Sequence, residues 1–177
     1  MRITISGPPG SGTTSLARYL VEKHGLSLIS AGEVFRSLAK ERGMDLAAFG
    51  RLAEEDPSVD RMIDARQKEI GESREDIVIE GRLAGRMVGN ADLRIWVAAS
   101  LACRSGRVAE RDGIDPATAA DLTAEREECE AGRYARYYAI DIGDLTPYDL
   151  VVSSEKWGKA ELGAIVDCAI ANLRQEP

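Results

Sequence analysis

Residues 3–20, ITISGPPGSGTTSLARYL, constrain this chain more than any other stretch. Ile3-Thr4-Ile5 is apolar and β-branched, as a buried strand requires. A turn of Gly7, Pro8, Pro9, Gly10, Ser11 and Gly12 follows, and an amphipathic helix begins near Thr13 with Leu16, Ala17 and Leu20 on one face. Strand, glycine turn, helix is the architecture of a phosphate-binding loop. The glycines let backbone N–H groups point inward around an anion, and the helix adds its unpaired N–H groups and positive dipole end. The spacing fits G-x-x-x-x-G-K-[ST] at every position but one. Gly7 and Gly12 match, and Thr14 stands where a Mg²⁺-binding hydroxyl belongs, with Ser15 beside it. Thr13 stands where a lysine normally reaches the β- and γ-phosphates. An ordinary Gly/Pro turn is the competing reading, but strand, turn and helix all fall where the motif requires. Losing one preorganised donor costs about 3–4 kcal/mol in the transition state. Enzymes lower barriers by about 8 kcal/mol or more, so Thr13 threatens rate more than binding.

The chain of 177 residues is long enough for one domain with a sizeable core. Its net charge of −7 argues against a nucleic-acid partner, because no global basic field exists to release counterions. A small phosphorylated substrate needs only a local cluster of arginines. The cysteines, Cys103, Cys129 and Cys168, are widely spaced, and the only histidine is His24, so structural zinc is not expected and a reducing compartment is. With no apolar leader and no run long enough to span a membrane, a cytoplasmic protein is expected. An acidic, mixed-charge surface fits a monomer.

Short apolar runs alternate with helical patterns along the chain. Strands are expected at 3–5, 26–30, 77–79, 93–98 and 149–153. Helices are expected from Ser30 or Gly32 to Gly43, over 45–54 with Asp45 as N-cap, from Pro57 to Gly71, over 100–111, from Asp115-Pro116 to about Tyr138, and over 160–173. This order predicts an α/β fold of the P-loop NTPase kind: a five-stranded parallel sheet with helices on both faces. One domain, 1–177, divides into a core (about 1–30, 76–103 and 139–177), a helical acceptor-binding insertion (about 31–75) and a small arginine-rich lid (about 104–138). Ligands in such sheets bind at the carboxyl ends of strands. The phosphate loop, Ser30 to Arg36 and Glu80 to Arg82 all lie there.

Arginines dominate the remaining candidates. Arg104, Arg107 and Arg111 fall on one helical face, and so do Arg126, Arg133 and Arg136. Two such stripes around a Gly/Pro break could close over phosphates, which the planar guanidinium grips bidentately. Solvated pairs with Glu110, Glu127, Glu128 or Glu130 are the alternative. Arg36 and Arg82 are more specific, each just beyond a predicted strand end where a second phosphate would sit beside the first. No convincing general base appears, although Asp56, Asp60 and Glu80 are open for that role. A nucleoside monophosphate already offers an anionic oxygen, so the protein needs only to position and neutralise.

GPPGSGTTSLA, SAGEVFRSLAKERGMDLAAFGRLAEEDPSVDRMID, IEGRLAG and REECEAGRYARYYAIDIGDLTPYDLVV together resemble the archaeal-type cytidylate kinases, small P-loop nucleoside monophosphate kinases. The resemblance covers nearly the whole chain. It implies transfer of the γ-phosphoryl group of ATP, with Mg²⁺, to CMP or dCMP. It implies that Gly7 to Ser15 hold the ATP phosphates and Thr14 the metal. Ser30, Gly32, Arg36, Gly81 and Arg82 would form the acceptor subsite, with Glu130 and Arg133 as an acidic/basic pair around it. Arg104, Arg107 and Arg111 would be lid arginines, with Arg107 and Arg111 at the γ-phosphate and a lid arginine replacing the charge missing at Thr13, and Arg133 joins Arg107 and Arg111 among the catalytic candidates. Other readings stay open: UMP, AMP or a small hydroxyl compound as acceptor, or a non-catalytic nucleotide-binding module. Phe35, Phe49 and Tyr134 could stack on the base, with core packing the alternative for each phenylalanine.

Overall fold

A computed structural model describes residues 1–44 and 46–173. The expected N-cap Asp45 lies outside them. The elements run β1 (Arg2–Ser6), α1 (Thr13–His24), β2 (Ser27–Ser30), α2 (Ala31–Glu41), α3 (Leu46–Glu55), α4 (Pro57–Ser73), β3 (Ile77–Glu80), α5 (Ala84–Met87), β4 (Leu93–Ala98), α6 (Leu101–Asp112), α7 (Pro116–Tyr138), β5 (Leu150–Ser153) and α8 (Lys159–Ala171). The strands form one parallel sheet in the order β2-β3-β1-β4-β5. The order reverses at β1, so the loop after β1 opens at the switch point where such sheets bind ligands.

The β-branched runs of β1, β3 and β4 are buried on both faces, as crossover helices demand. Ile3, Ile5, Val78, Ile95, Val97 and Val152 pack with Leu16 and Leu20 of α1 and Leu162 and Val166 of α8. Ile77 and Ile79 pack with Ala84 and Val88 around the short α5. The helices between β2 and β3 keep a core of their own: Val34, Leu38, Phe49, Val59 and Ile63. Phe49 is wholly buried and meets Phe35 edge-on at 4.8 Å between ring centres. That separate cluster lets the insertion hold its shape while standing beside the sheet.

Local signals fix the element boundaries. Ser30 and Glu33 form a reciprocal capping box at the start of α2, which locks the β2–α2 corner where Gly32 and Arg36 sit. Asp56 caps α4 ahead of Pro57, and Asp115 caps α7 ahead of Pro116. Gly113 closes α6 in the left-handed conformation (φ 67°). The four-residue α5 was not anticipated; it is too short to carry a helical period.

Candidate active site

The phosphate loop is held open from behind. Gly10 and Gly12 have φ of 79° and 98°, which the loop's path requires and which side chains resist. A β-carbon on Gly10 would lie 2.7 Å from the Arg104 carbonyl oxygen, so α6 packs directly against the turn. The loop carbonyls are all spoken for. Arg82 donates to the Gly7 oxygen, Ser11 N–H to Pro8, and Arg104 Nη1 to Pro9 at 3.2 Å. Arg107 Nη1 donates to the Gly10 and Ser11 oxygens, each at 3.3 Å, and Ser154 Oγ to Ser11 at 2.7 Å. By contrast, the N–H groups of Gly10 and Gly12 have no partner among the described residues. Gly12 offers no side chain to cap α1 either. Carbonyls anchored outward and amides left free make an anion nest.

Thr13 Oγ1 donates to Glu80 Oε1 at 2.7 Å, and Thr14 Oγ1 approaches the same oxygen at 3.4 Å. Position 13 therefore brings a hydroxyl where the motif's lysine would bring a cation, and it faces a carboxylate. Parallel pairing of Ile5 with Glu80 sets this juxtaposition, because the ends of β1 and β3 lie side by side. Thr14 and Glu80 supply hard oxygen donors of the kind Mg²⁺ takes alongside water and substrate phosphates. No group of three acidic, histidine or cysteine side chains that could hold a metal ion forms among the described residues.

A cleft of about 660 Å³ runs from this loop to the start of α2. Gly7, Pro8, Pro9, Gly10, Thr13 and Thr14 line one end; Ser30, Gly32, Arg36, Gly81 and Arg82 line the other. Arg18, Arg111 and Arg126 border it as well. Arg36 makes no ion pair among the described residues and so leaves its charge to the cleft, while Arg111 is exposed and paired with Asp112. Beneath Arg82 lies Glu130, 7% exposed. Arg82 Nε reaches Glu130 Oε2 at 2.7 Å, and Arg126 Nε reaches Oε1 at 2.8 Å. Burial works to raise the Glu130 carboxyl pKa, but the charges and hydrogen bonds of Arg82 and Arg126 outweigh it, and the net shift is downward.

The expected arginine stripes do not act as one set. Arg104, only 4% exposed, bonds to Pro9, to the Ala99 carbonyl and to Glu127. Arg107, expected at the γ-phosphate, is not among the residues lining the cleft. Its Nη1 and Nη2 are engaged by loop carbonyls and by Ser154 Oγ and oxygen, both at 2.8 Å. Arg133 turns instead toward α4, with Nε 3.0 Å from Asp60 Oδ2. The cause is that helical spacing specifies a shared face but not what the face meets; α6 packs on the loop, while α7 spans both loop and insertion. Of the aromatic candidates, Phe49 is core, whereas Phe35 and Tyr134 line the chamber beside the insertion. Glu80, which the sequence offers as a base and as part of the strand-end segment 80–82, meets Thr13 and Thr14 instead; its place at a strand end is the signal for that neighbourhood.

The sequence model of the cytidylate kinase-like family matches residues 2–156. A cytidylate kinase of Methanoculleus marisnigri is 70% identical over 176 residues, covering 99% of this chain and 97% of that protein. A cytidylate kinase of Methanosphaerula palustris is 63% identical over 175 residues, covering 98% and 99%. Among solved structures, shikimate kinase from Bacteroides thetaiotaomicron superposes with a TM-score of 0.66 at 12% identity, covering 97% of this chain and 98% of that one; it shares the fold.

Proposed function

The chain belongs to the cytidylate kinase-like family, and we propose that it transfers the γ-phosphoryl group of ATP to CMP or dCMP, giving ADP and CDP or dCDP. The observation that carries this reading is the single cleft with an anion nest at one end and Arg36 and Arg82 at the other. Two anionic groups brought together in one groove are what transfer between phosphates requires.

In this reading the loop from Gly7 to Ser15 holds the ATP phosphates by its free amides. Thr14, joined by Glu80, holds Mg²⁺, which when bound neutralises charge on the phosphates. Ser30, Gly32, Arg36, Gly81 and Arg82 receive the acceptor, and Arg36 and Arg82 grip its phosphate. Glu130 sets the aim of Arg82 and Arg126. The acceptor phosphate oxygen attacks directly, so no side chain has to remove a proton. Arg111, at the cleft margin, is the arginine best placed to reach the transferring group by releasing Asp112. Arg107 positions the loop from its carbonyl side, and Arg133 serves the acceptor end. Residues 31–75 act as the acceptor region and 104–138 as the lid. The free cysteines and the net charge of −7 support a monomer working in a reducing, cytoplasmic setting; no described helix is long and apolar enough to cross a membrane.

The test is ADP release from Mg·ATP against CMP, dCMP, UMP, AMP, GMP, shikimate and a blank without acceptor. Turnover confined to CMP and dCMP is expected. Turnover with shikimate, or ATP binding with no turnover on any acceptor, would overturn the reading.

A further inference from the structure

We propose that Arg18 is a catalytic residue: its guanidinium brings to the transferring phosphoryl group the positive charge that Thr13 leaves out of the loop. The inference rests on the kinase reading above and names a residue that reading does not use.

Thr13 leaves a deficit of charge. The loop has a hydroxyl in place of an ammonium, and that hydroxyl is turned to Glu80 Oε1 at 2.7 Å. The amides of the nest and the end of α1 carry only partial charge. Two nucleotide phosphates brought together need full charges, and stabilising charge is most of what a protein supplies to such a transfer.

Among the described residues, five arginines line the cleft: Arg18, Arg36, Arg82, Arg111 and Arg126. Three are taken. Arg82 and Arg126 both bond Glu130, and Arg111 is paired with Asp112. Arg36 is unpaired but belongs to the acceptor end; its Nη1 lies over the first turn of α2, 3.4 Å from where a β-carbon on Gly32 would stand. Arg18 remains. It is exposed and has no ion pair, hydrogen bond or ring contact among the described residues. The carboxylates that line the cleft beside it are engaged elsewhere, Glu33 in the capping box with Ser30 and Glu80 with Thr13.

Its place on α1 decides what it can reach. Arg18 stands four residues after Thr14, so the two share one face of the helix, about 6 Å apart along the axis. Helical side chains slope toward the N-terminus of their own helix, which for Arg18 is the direction of Thr14 and the anion nest. Leu16, Ala17 and Leu20 anchor α1 in the core and fix its rotation. Arg18 is therefore carried by the same rigid element as the loop and needs no movement of α6 or α7, whereas Arg111 has first to leave Asp112.

In the transfer, the acceptor phosphate oxygen forms its bond to the γ-phosphorus with its own electron pair. The bond from that phosphorus to the β–γ bridging oxygen breaks, and its electron pair leaves on ADP. Arg18 donates N–H bonds to the γ-phosphoryl oxygens throughout and keeps its proton, as a guanidinium does.

The test is steady-state kinetics with Mg·ATP and CMP for the wild type, Arg18→Gln and Arg18→Lys, beside thermal melts. Arg18→Gln should lower kcat on the order of 100-fold, the loss that follows removal of one preorganised donor, with KM for ATP and CMP each changed less than about threefold. Arg18→Lys keeps the charge without the planar fork and should recover at least about tenfold of that loss. Tm should stay within about 2 °C in both, because no contact in the fold depends on this side chain. A kcat for Arg18→Gln within about threefold of wild type, a loss confined to KM, equal losses in both variants, or a fallen Tm overturns the assignment and leaves the kinase reading standing. A wild type silent on CMP overturns the kinase reading itself, and this assignment with it.

Discussion

Replacing Glu130 with glutamine tests how the acceptor end is held together. The carboxylate is 7% exposed and bonds Arg82 through Oε2 and Arg126 through Oε1. Removing one partner of a buried pair typically costs about 3–5 kcal/mol. Glutamine keeps one acceptor oxygen, and Arg82 keeps its bond to the Gly7 carbonyl, so the cost falls at or below the lower end of that range, about 2–3 kcal/mol. In a chain of this size each kcal/mol moves Tm by about 2–4 °C, which gives a drop of about 4–12 °C. The pH dependence has a definite sign. The folded-state pKa of Glu130 lies below the ordinary 4.5, so its contribution is present above that value and is lost as pH falls through the lower, folded one. Thermal melts by circular dichroism at pH 7 and at successively lower pH should therefore show a gap between wild type and Glu130→Gln that narrows in acid. A pH 7 gap below about 2 °C, or one that does not narrow, would refute the account of Glu130 as the clasp of Arg82.

Further outcomes follow from the loop and the insertion. Gly10→Ala forces a β-carbon to 2.7 Å from the Arg104 carbonyl at a φ of 79°, so ATP affinity measured by calorimetry should fall at least about tenfold with the sheet core unaffected. Thr13→Lys puts an ammonium against Glu80, and kcat should change by less than about tenfold; activation of an otherwise silent protein would contradict the view that the native loop is competent. Burial raises the Asp64 carboxyl to about 6, against the bond from Tyr138, with Asp60 adding to the rise and Arg133 opposing it. That group's contribution to stability is full below 3.8 and is lost as pH rises through about 6, so Asp64→Asn should raise Tm at pH 8, with an advantage that shrinks as pH falls through about 6 and is gone below 3.8.

How much of this was legible in the residues depends on the kind of signal. β-branched triplets such as Ile77-Val78-Ile79 gave strands directly, because only a doubly covered sheet buries them. Caps at Ser30, Asp56 and Asp115 set helix starts through local hydrogen bonds that need no tertiary partner. The bonds of Arg107 to the outer carbonyls of Gly10 and Ser11 could not be read from spacing, because they exist only once α6 packs on the loop. The same holds for Asp60 and Arg133, separated along the chain and brought together where side chains of α4 and α7 meet at the wall of one chamber. Glu80 likewise gained its meaning from strand register, which pairs it with Ile5 at the loop's edge.

The most direct measurement follows the phosphoryl group itself. With ATP isotopically labelled in its γ-phosphate, Mg²⁺ and CMP, the account predicts label in the terminal phosphate of CDP and none above background in inorganic phosphate. Label released as inorganic phosphate, or retained in ATP while CMP stays unchanged, would contradict it.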